Sequence, residues 1–304
     1  MTIRGILILA VILSESYKCF ASNASLKPSE LKKKPIEYRN HRIDSDFFVS
    51  ERLDEFKQNF LGYEIKISSG ESFCCALFEI RKNGKVVYSS EDLDLAKFNL
   101  VSHQKNDRRE YLLNLTGSGP TQIAVSASTG GVHCCHTLLI FDLGDELKKI
   151  AEIEGGNFEP VLIDLDHDGI PEIRITDDCF SYKFGSGSFG GSPIGTVILK
   201  FSQHQGRYVL AEELMRKPPP REKYISRHLS KWQKGLRTED SDDWPPSTFL
   251  QTLTDIVYTG HADLAVKFLN RVWPAEIPGK NKFWKKYKAA LSRSVYYSKV
   301  AENL

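Results

Sequence analysis

The chain has 304 residues, of which 41% are hydrophobic and 26% charged. That length accommodates one large domain or two ordinary ones, and the apolar content excludes global disorder. A formal net charge of +2 excludes a strongly basic nucleic-acid binder as a description of the whole chain.

Met1 to Ala24 reads as a secretory signal. Arg4 supplies the positive start, and Gly5 to Leu13 is an apolar stretch too short to span a bilayer. Small residues at Ala21, Ser22 and Ala24 offer cleavage sites. The alternative is a buried N-terminal strand. Export places the protein in an oxidising compartment, the bacterial periplasm or the outside. Losing the signal removes Cys19 and leaves Cys74, Cys75, Cys134, Cys135 and Cys179. An odd set leaves at least one thiol outside intramolecular disulfides. Residues 25–59 are a lead-in, and no later apolar run is long enough for a membrane span.

The middle of the chain repeats itself. Asn114 to Val125 aligns without gaps on Asp164 to Ile175. Each segment is a polar turn followed by an alternating strand, Ile123 and Val125 or Ile173 and Ile175. A glycine pair follows, Gly130-Gly131 or Gly190-Gly191, and then a hairpin. The hairpins run from Thr137 to Ile153 around Gly144 and from Thr196 to Leu214 around Gly206. A degraded earlier copy carries Ile65 and Ile67, Gly70, and a hairpin from Leu77 to Tyr88 around Asn83-Gly84. Asn-Gly tolerates the positive φ angles of a tight type I′ turn. Three such copies predict blades of a propeller or layers of a sandwich over residues 60–216; a closed propeller needs about four blades, so the expected architecture is incomplete.

Asp164, Asp166, Asp168 and Glu172 surround Gly169 at positions one, three, five and nine of one loop. Oxygen ligands at this spacing can converge on one point, with the Ile170 carbonyl as a fifth ligand. A divalent cation turns their mutual repulsion into attraction, and hard oxygen ligands in a flexible loop favour Ca²⁺ over Mg²⁺ or Zn²⁺. Position twelve is Ile175, so the loop is not an EF-hand. A solvated acidic turn without metal is the alternative. The matching loop at Asn114 lacks the acids, and Asn114-Leu115-Thr116 also spells a glycosylation acceptor.

Asp164-Leu-Asp-His-Asp-Gly-Ile-Pro-Glu-Ile resembles the calcium loop of FG-GAP or VCBS-type repeats, found in integrin-α-like propellers and exported bacterial proteins. The following hairpin resembles the rest of such a blade. The resemblance covers about residues 60 to 216 and departs from the family in copy number. It implies a calcium-braced blade and a role in adhesion, surface recognition or carbohydrate contact.

Cys74-Cys75 and Cys134-Cys135 stand at equivalent repeat positions. Disulfides between neighbouring repeats are the first expectation; a bridge closing about sixty residues contributes about 4 kcal/mol in the chain-entropy model. One or two bridges are expected, and because adjacent cysteines on a strand face opposite ways, one of the two can be left unformed. The rival is a metal site at His133-Cys134-Cys135-His136, although contiguous strand residues cannot all face one ion.

Gly185 to Gly190 spells a dinucleotide fingerprint without its context, because Ile194 to Phe201 reads as a strand and not a helix. Pro218-Pro-Pro220 marks a boundary to a small all-α segment, residues 217–304. Helices are predicted over Tyr224 to Leu236, after a Ser247 cap with Leu250, Leu253 and Val257 inward, and over Ala262 to Val272 with Leu264, Phe268, Leu269 and Val272 inward. A last helix, capped by Asn281, turns Phe283, Tyr287, Leu291 and Val295 to one side. Lys280, Lys282, Lys285, Lys286 and Lys288 form a solvated face or an anion-binding patch.

The fold class is thus α+β: a β-repeat domain, incomplete propeller-like or sandwich-like, followed by a small helical domain. The leading functional expectation is an exported, calcium-binding recognition module for a protein or glycan partner, without catalysis and without nucleic acid. The alternative is an envelope hydrolase drawing on Asp177, Asp178 and His133. A third reading is a scaffold that binds a partner through its basic helical end.

Overall fold

The computed structural model describes residues 46–304 except 53–54, 69–75, 92, 94, 106–107, 132–133, 185–186, 188 and 239–243. The expected signal segment, Gly70, Cys74, Cys75 and His133 lie outside the described residues.

Among the described residues, fourteen strands form three antiparallel sheets. The first holds β2 (Glu55–Phe60), β3 (Tyr63–Ser68), β4 (Leu77–Lys82) and β5 (Lys85–Ser89), in that order. The second runs β1 (Asp46–Arg52), β6 (Lys97–Lys105), β8 (Gln122–Gly131), β9 (Cys134–Leu143) and β10 (Leu147–Gly156), with β7 (Arg108–Glu110) beside β6. The third holds β11 (Val161–Ile163), β12 (Glu172–Asp177), β13 (Gly195–Ser202) and β14 (Arg207–Leu210), again in order. Six helices follow: α1 (Glu212–Met215), α2 (Glu222–Leu236), α3 (Ser247–Tyr258), α4 (Ala262–Val272), α5 (Lys280–Leu291) and α6 (Ser298–Asn303). An α+β architecture follows, with the helices at the C-terminal end. Among the described residues no helix is long and apolar enough to cross a membrane.

The repeat has a direct structural counterpart. Ile65 and Ile67 lie on β3, Ile123 and Val125 on β8, Ile173 and Ile175 on β12, and all six are buried. Each of these strands is followed by a hairpin: β4–β5, β9–β10 and β13–β14. In the first, Asn83 and Gly84 both adopt positive φ, 52° and 75°, between the paired Lys82 and Lys85. This is the conformation that two-residue hairpin turns demand and that Asn-Gly accepts at low cost.

The second sheet is the middle layer. Ile123, Val125, Leu139 and Phe141 join Ile65, Phe78 and Phe98 in one apolar cluster. Ala124, Leu138 and Ile140, from the same two strands, join Ile173, Val197 and the helical residues Trp232, Leu253 and Tyr287 in another. Successive residues of a strand point to opposite faces, so β8 and β9 are apolar on both sides because both sides are covered. On the other flank the first sheet alternates, with Tyr63, Ile65 and Ile67 buried while the intervening Glu64 and Lys66 form ion pairs with Lys57 and Glu79. The third sheet meets helices instead: α1 and α3 both contact β13. The boundary expected at Pro218–Pro220 falls between α1 and α2, and the same apolar cluster continues across it, from Ala211 and Met215 to Trp232 and Ala301.

The helix ends differ in detail from the sequence expectations. Ser247 is the first residue of α3, Pro246 occupies the cap, and no side chain caps the helix. Gly279, at φ 90°, precedes α5, so Asn281 lies inside it. Val295 is 83% exposed because α5 stops at Leu291 and its apolar stripe stops with it. Leu250, Leu253, Val257, Phe268, Leu269, Val272, Phe283, Tyr287 and Leu291 are buried as expected, and Leu264 is partly buried against the same core.

Gly195 opens β13 against the Tyr258 ring: a Cβ there would lie 2.5 Å from Tyr258 Cζ. Gly195→Ala is therefore expected to cost about 1–3 kcal/mol through overpacking. Urea unfolding should show a lower midpoint, with strand and helix signals still lost together; an unchanged midpoint would show that the sheet and α3 are not tightly joined.

Candidate cation site

The acidic loop connects β11 to β12. Its shape is held by its own side chains. Asp164 Oδ2 accepts from the Gly169 N–H at 3.1 Å, Asp166 Oδ1 from Asp168 N–H at 3.3 Å, and Asp168 Oδ1 from Ile170 N–H at 2.8 Å. Glu172 Oε2 accepts from Leu165 N–H at 2.9 Å. Short acidic side chains favour such contacts with backbone one turn ahead, and Gly169 takes the left-handed conformation, φ 82°, which glycine accepts without strain.

The neutral loop of the preceding repeat makes the corresponding bonds. Asn114 Oδ1 accepts from Gly119 N–H at 3.0 Å, and Gln122 Oε1 from Leu115 N–H at 2.8 Å. Thr116 and Ser118, at the places of Asp166 and Asp168, share a hydrogen bond of 2.7 Å. Gln122 and Glu172 are both fully buried. The two loops also touch. A Cβ on Gly117 would meet Ile170 Cδ1 at 2.9 Å, and Gln203 on the turn after β13 donates to the Thr116 carbonyl.

One oxygen from each of Asp164, Asp166 and Glu172 lies within 4.8 Å of the other two. Ligands 2.3–2.6 Å from one calcium ion are separated by about 5 Å at most, so this trio fits a shared cation. Asp164 Oδ1 and Glu172 Oε1 are buried and accept no hydrogen bond. A buried carboxylate oxygen without a hydrogen bond carries a desolvation cost that a ligand can offset. Asp168 is tied in through Lys200, whose Nζ lies 2.9 Å from Asp168 Oδ2, 2.5 Å from Asp166 Oδ2 and 3.5 Å from Glu172 Oε1. Ile170, expected to offer its carbonyl, contributes its N–H to Asp168 and its side chain to the contact with Gly117.

These surroundings move the carboxyl groups apart. The Lys200 hydrogen bond holds Asp168 below its ordinary value. Burial raises Glu172 above its own, against the lowering effect of the Leu165 N–H. A raised folded-state value favours folding when the group is protonated. That contribution is present below the unfolded value of 4.5 and lost as pH rises through the raised one, so at neutral pH the bare Glu172 carboxylate weakens the fold.

The carboxylates of the rival hydrolase reading are otherwise engaged. Asp177 Oδ2 accepts from the Tyr258 hydroxyl at 2.7 Å and from the Ser294 hydroxyl, while Oδ1 accepts from Cys179 N–H at 3.1 Å. Asp178 Oδ2 accepts from Asn157 N–H and Nδ2, each at 2.7 Å, and Oδ1 from Ser181 at 3.1 Å. Asp178 borders a small open cleft with Phe158, Phe189 and Ser192. His133 lies outside the described residues. Among the described residues, the glycine-rich stretch leads into a single 3-10 turn of helix, Phe189–Gly191, and then β13, with no α-helix that could receive a pyrophosphate.

Cys134 and Cys135 start β9, and Cys135 is disulfide-bonded. Its partner is not among the cysteines whose side chains are described, since Cys179 is free. Burial, followed by the neighbouring Asp177 charge, pushes the Cys179 thiol well above its ordinary value. Because the thiolate is the reactive form, iodoacetamide at pH 8 should label Cys179 in the native chain at least about tenfold more slowly than in the urea-unfolded chain. Equal rates would refute the protected environment.

No family model, no curated protein and no solved structure matches the chain, so the site is read from its own geometry.

Proposed function

We propose that this is an exported calcium-binding β-repeat protein of the FG-GAP or VCBS kind that serves as a recognition module and not as a catalyst. One observation carries the calcium assignment. The loop at Asn114 makes the same backbone bonds with Asn114 and Gln122 as the loop at Asp164 makes with Asp164 and Glu172. Neutral amides are therefore sufficient to shape this loop. Carboxylates at both places, with Asp166 and Asp168 between them, exceed what the backbone needs, and an all-oxygen set suits calcium better than zinc.

The strand-and-hairpin units β3–β5, β8–β10 and β12–β14 support the repeat reading, and the helices against β13 supply an end to the stack where another blade would follow. Terminal caps of this kind are what repeat arrays require. The disulfide at Cys135 supports an oxidising compartment, as the Met1–Ala24 segment suggests. The engaged oxygens of Asp177 and Asp178 favour recognition over hydrolysis. The partner belongs to the classes a surface-recognition module meets, protein or glycan.

Calorimetric titration of calcium into chelator-treated protein tests the assignment. The wild-type chain is expected to bind one ion and to gain about 2.7 kcal/mol at a hundredfold excess over Kd. Asp166→Ala should weaken binding at least tenfold. Glu172→Gln should abolish it, yet in chelator at pH 7 this variant should be at least as stable as wild type, because glutamine keeps the Leu165 bond without the buried charge. No binding heat together with an unchanged melting temperature in chelator would discard the calcium role.

A further inference from the structure

The loop and β13 together hold a detail that the calcium reading does not require. Lys200 reaches into the acidic cluster from the neighbouring strand, one residue beyond the Ile173↔Leu199 pair. Its ammonium contacts Asp166 and Glu172, two of the three side chains whose oxygens converge. In the neutral repeat the residue across from Gln122 is Asp142, which accepts from Thr121 at 2.7 Å. The cross-strand residue is thus acidic beside the neutral loop and basic beside the acidic one.

Resting on the calcium reading, we infer that Lys200 is a built-in competitor for the cation site: its ammonium occupies the carboxylates when calcium is absent and is expelled when calcium enters. Two geometric facts argue for exchange and against joint occupancy. Asp166 Oδ2 lies 2.5 Å from Nζ, so an ion 2.3–2.6 Å from an oxygen of the same carboxylate would lie within a few ångströms of the ammonium and repel it. The exit is open as well. The Lys200, Asp166 and Asp168 side chains keep about a third of their surface in water, 30%, 31% and 38%, and a lysine head can turn outward on its flexible stem. The four side chain–backbone bonds of the loop use donors other than Lys200, so moving the ammonium breaks none of them. Four carboxylates against one ammonium leave three negative charges unbalanced, so the lysine compensates the cluster only in part. Calcium binding at this site is then a replacement of one cation by another within a formed loop, with affinity set by the difference between them.

Calorimetry on the full wild-type chain and on Lys200→Met, with calcium chloride as titrant, tests the exchange. The variant should bind calcium about tenfold more tightly or better. A second measurement needs no substitution: acetylation of Lys200 in the wild-type chain, followed by peptide mass spectrometry, should accelerate severalfold when calcium saturates the site. If both chains bind calcium equally and the labelling rate of Lys200 is unchanged, the exchange is overturned while the calcium site stands. Weaker binding by the variant would make Lys200 a supporting residue, which also overturns it. If neither chain binds, the calcium reading fails and the exchange fails with it.

Discussion

The middle and third sheets depend on a buried side-chain acceptor that closes the loop ahead of β8 and of β12. Gln122 and Glu172 both stand at the first residue of their strands, have no exposed surface, and turn one oxygen back to the N–H seven residues earlier. That bond satisfies a backbone donor that would otherwise be buried without a partner. It also fixes where the strand begins, hence its register and the face each apolar residue takes, since a one-residue slip would exchange the faces. With β8 and β9 apolar on both sides, such a slip would disturb both clusters at once.

An amide does this work at no electrostatic cost. Gln122 spends its second group on Thr121 at 2.6 Å, so its whole side chain is used. Glu172 has no proton to donate when ionised, and its second oxygen accepts no hydrogen bond. The same backbone frame therefore carries a neutral version and a charged one, which separates the structural requirement from the surplus. The surplus is what supports the proposed cation site, because acidity by itself is common on exposed turns.

Much of this frame was legible in the sequence. The Asn83-Gly84 turn depends only on two adjacent residues. The offset between Asn114 and Asp164 is a matter of matching letters, and the inward faces of α3, α4 and α5 follow from helical spacing. Features that join distant segments were not legible. Lys200 meets the acidic loop only because the β12–β13 register puts it one step past Leu199. The role of Gly279 rests on a left-handed backbone angle, whereas Asn281 was the better cap by residue type alone. Val295 continued the α5 stripe on paper, but the helix ends before reaching it. The helices share an apolar cluster with the third sheet, and no local pattern in either segment announces that contact.

The strand β12 carries a buried carboxylate at each end, and the contrast between them separates structure from ligand binding. At its C-terminal end Asp177 receives hydroxyls from Tyr258 and Ser294 and a backbone N–H from Cys179, so three donors from the helices and the adjoining turn surround the charge. Burial and the Asp177 charge push the Tyr258 hydroxyl upward, which keeps it a donor. A carboxylate saturated in this way needs no cation, and one broken contact would leave a buried charge short of a partner. At the N-terminal end Glu172 has one backbone donor, an ammonium at 3.5 Å, and an oxygen without a hydrogen bond. Its environment is incomplete where that of Asp177 is closed. Two buried acids on one strand thus differ in kind: the first fastens the sheet to the helices, and the second keeps an oxygen without a hydrogen bond, as the proposed cation site requires.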